Sequence, residues 1–349
     1  MALVQHFPAL NPEAAPVCSV CIANYNGMHM LAECLDSVLA QTSGVPVEII
    51  VHDDASTDGS IAFLREHYPQ VEILASSDNV GFCIGNNRMV ALARGAYVLL
   101  LNNDAALFPD ALACLLAAAR SQDQAGILTL PQYDWQSGLL VDRGCLLDPF
   151  YNPVPNLDAS RRDVAYVIGA CMFLPRTLWN DLGGFPQWLG SLAEDMYLCC
   201  LARLRGLPVQ ATQGSGYRHR QGASFGGNRV DATGLHTTYR RRFLSERNKT
   251  VVMVVCTPTA MVWPLLALHL GILAAEGATL SLLKRDGRVW RQIYGPALVH
   301  VLREISALRS RRGKVQGVRR ISLSEYMKVF SPVWRKLGLL RRHGIPEVR

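Results

Sequence analysis

The chain has 349 residues, half of them apolar, which is enough to bury a substantial core and excludes a disordered protein. Its net charge of +7 is unevenly spread: residues 284 to 349 carry 17 Lys/Arg against 4 Asp/Glu, whereas residues 1 to 283 carry 18 against 24. A basic terminal segment beside an acidic body points to an anionic partner surface, either lipid headgroups or nucleic acid. Ten cysteines lie scattered through apolar stretches without a signal peptide, and they read as reduced, core-filling thiols rather than a disulfide framework. Cys18 and Cys21 have CxxC spacing, but they fall in a strand-like run and no second pair completes a four-ligand site.

Val17 to Ala23 is a short apolar run bounded by the turn residues Asn24 to Gly27, and it reads as a buried strand. A helix follows, with Leu31, Leu35, Val38 and Leu39 on one stripe. Val47 to Val51 is the next strand and ends at His52-Asp53-Asp54, with Ser56 or Asp58 placed to cap the helix after it. The pattern repeats with Val71 to Leu74 as strand, a Gly/Asn-rich loop from Asn79, a helix through Asn87 to Ala93, and Tyr97 to Leu101 as strand. Alternating strands and helices predict a mainly parallel sheet covered on both faces, with ligands at the carboxyl ends of its strands.

Asp53-Asp54 and Asp104 stand at such ends. Asp53 can accept hydrogen bonds from a nucleobase or ribose, or serve as a turn carboxylate. In Leu101-Asn102-Asn103-Asp104 a carboxylate and amide oxygens offer hard ligands to Mg²⁺ or Mn²⁺, with substrate phosphates completing the shell. The alternative for Asn102-Asn103 is a turn before the helix predicted from Pro109 to Arg120.

A short strand at Gly126 to Leu130 precedes an irregular stretch, Tyr133 to Arg162, too long to be mere filler. Tyr166 to Leu174 then reads as strand and Leu192 to Leu204 as helix. Glu194 and Asp195 sit at the start of that helix, where its dipole keeps a carboxylate ionised and able to take a proton; a capping acid is the alternative. His219 follows the strand-like Pro208 to Thr212, in a polar loop with Arg218, Arg220, Gly222, Ser224 and Arg229. It reads as a third metal ligand or as a surface histidine, and the arginines as diphosphate-binding or solvated.

Residues 251 to 275 contain no Asp, Glu, Lys or Arg, long enough to span a bilayer. Pro258 and Pro264 favour a re-entrant or interfacial helix pair over one straight span, and a buried helix of a soluble domain is the alternative. The tail from Lys284 interleaves aliphatic residues with arginine, which favours lipid over nucleic acid.

In this order the clusters resemble glycosyltransferase family 2, and particularly its bacterial rhamnosyltransferase-like branch. The resemblance rests on Ser19 to Gly27, Cys34 to Ser37 with Gln41, Glu48 through Asp53 to Ser60, Asn79 to Phe82 with Gly85 to Asn87, and Leu101 to Asp104. It continues with Gly169 to Met172, Gly183 to Phe185, Glu194-Asp195, His219 with Gly222 and Ser224, and Arg247-Asn248. It implies a GT-A fold, an α/β architecture with a Rossmann-like, mixed but mainly parallel sheet flanked by helices, followed here by a helical, membrane-associated C-terminal segment. The expected division is an N-terminal extension to residue 16, a catalytic domain over 17–250, and a hydrophobic then basic region over 251–349.

The resemblance implies a nucleotide-sugar donor held by Tyr25, Asp53, Asp54, Asn79, Gly81, Asn87, Asn102 and Asn103. It implies a divalent metal, Mg²⁺ or Mn²⁺, at Asp104 with His219, and Asp195, beside Glu194, as catalytic base. The implied reaction is an inverting transfer of a hexose or deoxyhexose, rhamnose among them, to a glycan or lipid-linked acceptor in cell-surface polysaccharide synthesis, at the cytoplasmic membrane face and without nucleic acid. Two positions depart from the pattern: Asn102 replaces an Asp common in the triplet, and Tyr197 replaces a second Asp common in the branch. A nucleotidyltransferase is the first alternative, but Asn24 to Leu31 lacks the Lys or Arg of a phosphate loop. A silent sugar-nucleotide-binding protein is the second, and the presence of both Asp104 and Asp195 argues against it.

Overall fold

The computed structural model describes residues 3–222, 227–231 and 234–349. The chain divides into two compact units. The first comprises Met1–Cys145, Pro155–Ala202 and Leu207–Arg220, and the second Leu146–Val154, Arg203–Gly206 and Gln221–Arg349.

The first unit is built on an eight-stranded sheet. Its opening strands are β1 (Val4–Phe7), β2 (Cys18–Asn24), β3 (Val47–Asp53), β4 (Glu72–Ser76) and β5 (Tyr97–Asn102). The helices α1 (Met28–Leu39), α2 (Ser60–His67) and α3 (Phe82–Leu92) link them. Next come β6 (Ala105–Leu107), α4 (Ala111–Arg120), β7 (Ile127–Thr129), β8 (Gln132–Asp134) and β9 (Leu140–Asp142). The short strands β10 (Cys145–Leu147) and β11 (Pro153–Pro155), which fall mostly in the second unit, precede β12 (Cys171–Pro175), α5 (Arg176–Leu182), α6 (Glu194–Leu204), β13 (Val209–Ala211) and β14 (Tyr217–His219).

The large sheet runs β1-β4-β3-β2-β5-β12-β7-β13. Strands β4, β3, β2 and β5 are parallel, and β12 is antiparallel to β5. The mixed sheet agrees with the expected α/β architecture. Because β3 lies on one side of β2 and β5 on the other, the order reverses at β2, and the crevice outside these carboxyl ends is where an open sheet binds ligands. Val20, Ile22, Val51, Leu99, Leu101 and Phe173 form the apolar sheet face on which Leu31, Leu35, Leu112 and Leu115 pack.

The structure adjusts several readings. The buried stripe of α1 is Leu31, Cys34, Leu35 and Val38, while Leu39 is 49% exposed, one residue past the contact face. Residues 4–7, within the expected extension, pair antiparallel with β4 as an edge strand. Their side chains are largely exposed, so the segment carries no apolar signature. The stretch 133–162 contains short strands, and one of them completes the small sheet β6-β14-β8-β9. The cysteines are all unpaired by disulfides, nine of them buried, as core-filling thiols should be.

The second unit is helical: α7 (Tyr239–Cys256), α8 (Val262–Leu283), α9 (Gly295–Arg303), α10 (Ile305–Gly317), α11 (Leu323–Met327) and α12 (Arg335–His343). Pro258 separates α7 from α8. Pro264 lies in the first turn of α8, where a missing N–H leaves no bond unmade. The segment 251–275 is thus divided at Pro258 between the end of α7 and the start of the 22-residue α8, while Pro264 leaves α8 unbroken. Among the described residues it is the one helix long and apolar enough, by length and composition, to cross a membrane. A small sheet joins β15 (Gly227–Asp231), β16 (Gly234–Thr237) and β17 (Glu347–Val348).

Candidate active site

Three neighbouring strand ends create the floor of the site. Asn24 ends β2, and its Nδ2 donates to Asp53 Oδ1 at the end of β3 (2.9 Å). Its Oδ1 accepts from Asn103 Nδ2, just beyond β5 (2.7 Å). One buried amide thus ties the expected nucleotide carboxylate to the expected metal triplet. Asp53 also accepts from the Ser56 backbone N–H (2.9 Å), which curls the loop around the carboxylate. Gly27 is required beside this bridge, because a Cβ there would stand 2.1 Å from Asn103 Nδ2 and 2.7 Å from Asn24 Oδ1.

Asp54 and Asn87 hold loops. Asp54 accepts from the backbone N–H groups of Val80 (2.6 Å) and Gly81 (2.8 Å), which fixes the Gly/Asn-rich turn. Gly81 lies at φ +86°, in the left-handed region that favours glycine. Asn87 clamps Phe185, donating to its carbonyl (2.8 Å) and accepting from its N–H (2.9 Å), so both ends of its amide serve the Gly183-Gly184-Phe185 turn. Tyr25 and Asn79 are exposed and Asn102 is half-buried at the end of β5.

The small sheet brings His219 to Asp104. β14 pairs antiparallel with β6 in a register that sets His219 opposite Ala105, and its Nε2 lies 3.1 Å from Asp104 Oδ1. Both residues are buried. His219 Nδ1 faces Gln132 Oε1 at 3.3 Å, an oxygen that also accepts from Tyr217 OH at 2.7 Å. In the tautomer protonated at Nδ1 that oxygen accepts from Nδ1 and the Nε2 electron pair turns toward Asp104; in the other, Nε2–H donates to Asp104 Oδ1. Two electron pairs at 3.1 Å need a cation between them, a proton or a metal ion. Cis ligands about 2.1 Å from an octahedral ion are themselves about 3.0 Å apart, so the spacing fits a metal. Among the described residues no group of three His, Cys, Asp or Glu side chains completes a metal cluster, so water and substrate phosphate would have to supply the other ligands.

Asp195 opens α6. It accepts from the N–H groups of Gly169 (3.0 Å) and Met196 (2.7 Å). Burial pushes its carboxyl above the ordinary carboxylate range, and these N–H groups oppose the shift. The neighbouring Ala170 carbonyl accepts from Asn102 N–H (3.1 Å), so residues 169–170 link Asp195 to the end of β5. Glu194 is buried beside it. Leu192 and Ala193, directly before these acids, hold φ of +72° and +65°, and Ala55, directly after Asp53-Asp54, holds +64°. Left-handed non-glycine residues cost of order 1–3 kcal/mol each, and here they border the acidic residues of the site.

Arg220 is ion-paired with Glu33 and lies over the Trp135 ring at 4.0 Å, while Arg218 is exposed. Ser224 lies outside the described residues, as does the Arg229 side chain. Sequence reasoning missed the bridging role of Asn24 and the part played by Gln132. Asn24 stood in plain view at a strand end, whereas Gln132 carries no local signal because its role comes from β8 lying beside β14.

Residues 19–182 match the family model described as Glycosyl transferase family 2. Chondroitin synthase of Escherichia coli is 34% identical over 200 residues, covering 52% of this chain and 26% of that protein. N-acetylglucosaminyl-diphospho-decaprenol L-rhamnosyltransferase of Mycobacterium tuberculosis is 27% identical over 183 residues, covering 44% of this chain and 60% of that protein. The matched stretches thus span about a quarter of the first relative and three fifths of the second. Among solved structures, a mannosyltransferase from Pyrobaculum calidifontis in complex with GDP-Man and Mn²⁺ superposes with a TM-score of 0.51 at 18% identity, covering 86% of this chain and 87% of that one. GalNAc-T7 with UDP, GalNAc and Mn²⁺ gives 0.58 at 13% identity, covering 95% and 58%. These likenesses show a GT-A fold, and within it residues 19–182 match the glycosyltransferase family 2 domain.

Proposed function

We propose that the chain is an inverting, metal-assisted glycosyltransferase that moves a hexose or deoxyhexose from a nucleotide sugar to a glycan or lipid-linked acceptor. The observation that carries this reading is the convergence of Asp53, Asp104 with His219, and Asp195 at the carboxyl edge of one sheet, through Asn24 and residues 169–170. Asp53 binds the nucleoside and Asp195 takes the proton of the acceptor hydroxyl. The acceptor oxygen bonds to the anomeric carbon as the carbon–oxygen bond to the diphosphate breaks, and that electron pair leaves on the diphosphate. Asp104 and His219 would hold a divalent ion, which when bound neutralises charge on the leaving diphosphate.

The GDP-Man, UDP and Mn²⁺ in the neighbours support the donor class and the ion, and the decaprenol-linked relative supports a lipid-linked acceptor such as a polysaccharide precursor. The apolar α8 and the basic tail support action at the cytoplasmic face of a membrane. Calorimetric titration of UDP, GDP and dTDP with Mn²⁺ tests the nucleotide part. One of them should bind, and Asp53→Ala should weaken it at least tenfold; equal binding by the variant would remove Asp53 from the site.

A further inference from the structure

The second unit holds a groove of about 390 Å³ where α7 turns into α8. One wall is the turn Pro258–Ala260 with Trp263, and the other is formed by Arg309, Arg312, Gln316 and Arg319, with no carboxylate. Arg312 and Gln316 are engaged in ending α7. Arg312 donates to the carbonyls of Val254 (2.8 Å), Thr257 (2.6 Å) and Thr259 (2.9 Å), and Gln316 to those of Val255 (3.0 Å) and Cys256 (3.3 Å). They thereby supply partners to the terminal turn of a helix. Arg309 and Arg319 are exposed. Arg309 sits 5.1 Å above the Trp263 ring, and Arg319 gives one bond, to the Pro258 carbonyl (2.7 Å).

α8 starts at the rim of this groove. Its outward positions Pro264, Leu268, Gly271, Ala275, Ala278 and Leu282 recur at helical spacing, and every one is exposed and uncharged. The one carboxylate in the helix, Glu276, bonds instead to Arg242 (2.8 Å) and Lys336 (2.6 Å). The result is an apolar stripe about 27 Å long, with an arginine-lined groove at its start and Lys284-Arg285 at its end. An apolar helix face flanked by cations, with an indole at one end, complements an anionic bilayer surface.

We propose that this groove binds the phosphate of an anionic phospholipid headgroup, and that the outward face of α8 lies on the bilayer beside it. The inference deepens the membrane part of the functional reading and rests on it. The guanidinium forks of Arg309 and Arg319 grip the phosphate, and the stripe contributes apolar burial.

The test is co-sedimentation of the full chain with vesicles of phosphatidylcholine, alone or mixed with phosphatidylglycerol. The mixed vesicles should bind the protein far better. Arg309→Ala/Arg319→Ala, which spares the residues ending α7, should lower the partition coefficient about 25-fold, at about fivefold per arginine, with an unchanged thermal midpoint. Arg309→Lys/Arg319→Lys keeps the charge but not the forks and should restore only part of the binding lost in the alanine variant. Inorganic phosphate at millimolar levels should not release the protein. Failure of the intact chain to bind either vesicle would overturn the membrane reading itself. Binding by the intact chain that both double variants retain in full, or that free phosphate abolishes, would overturn the groove assignment alone.

Discussion

His219 Nε2 lies 3.1 Å from Asp104 Oδ1 across 115 residues of sequence, because the pairing of β14 with β6 places one strand end beside the other. With Nδ1 facing Gln132, the pair would form a two-ligand cation site oriented from behind by an amide. His219→Ala and Asp104→Asn should each weaken Mn²⁺ binding by 10-fold or more, read by the loss of the free-ion electron paramagnetic resonance signal on titration. Gln132→Leu should weaken it less, since it removes an orienting group and not a ligand. Mn²⁺ affinity unchanged in both His219→Ala and Asp104→Asn would place the ion elsewhere.

Asp195 must be ionised to accept a proton, and burial raises its carboxyl above the usual range. Activity should therefore be low where the group is protonated and rise with pH through this raised value, so the ascending limb lies above that of an exposed aspartate. Asp195→Asn should cost about 10²–10⁴-fold in kcat, with donor KM changed far less. A pH–rate profile flat from pH 4 upward in the intact enzyme would contradict the assignment.

Gly27→Ala drives a methyl group into the Asn24–Asn103 bridge. Overpacking of this kind costs about 1–3 kcal/mol, and the amide that orients Asp53 must shift. Denaturant unfolding should show the loss, and nucleotide affinity should fall with it. Gly313→Ala, at an exposed site inside α10 where an added Cβ meets nothing within 4 Å, serves as the control and should leave nucleotide affinity near the parent value while raising stability by up to about 1 kcal/mol.

Glu246 is fully buried in the second unit, bonded to Arg242 (3.1 Å), Lys249 (2.7 Å) and Lys336 (2.9 Å). Burial alone would raise its carboxyl, but the three cations hold it well below the ordinary range. Glu246→Ala strands positive charge inside the unit and should cost about 3–5 kcal/mol by denaturant unfolding. Replacing Arg349, exposed at the chain end and paired with Glu347, should cost under about 1 kcal/mol.

The parallel strands were legible because each is a short apolar run closed by turn residues, and the candidate acids because they stand at strand ends. Strand β1 was not legible, since an exposed edge strand buries nothing and its pairing is a tertiary event. The direction of β12 was likewise hidden, as an apolar run reads the same either way. Within the site, the resemblance nominated Asp54 and Asn87 alongside Asp53, but only the fold shows that their polar atoms hold backbone turns. The left-handed Leu192 and Ala193 had no sequence signal, since neither residue type favours that region.

The most direct test of the central claim is donor turnover. Purified chain is incubated with Mn²⁺, a panel of nucleotide sugars and membrane extract as acceptor source, and released nucleoside diphosphate is measured beside Asp104→Ala and Asp195→Asn. The account predicts release from one donor, abolished by chelator and lost in both variants. Release from no donor, or release that persists undiminished in Asp195→Asn, would contradict it.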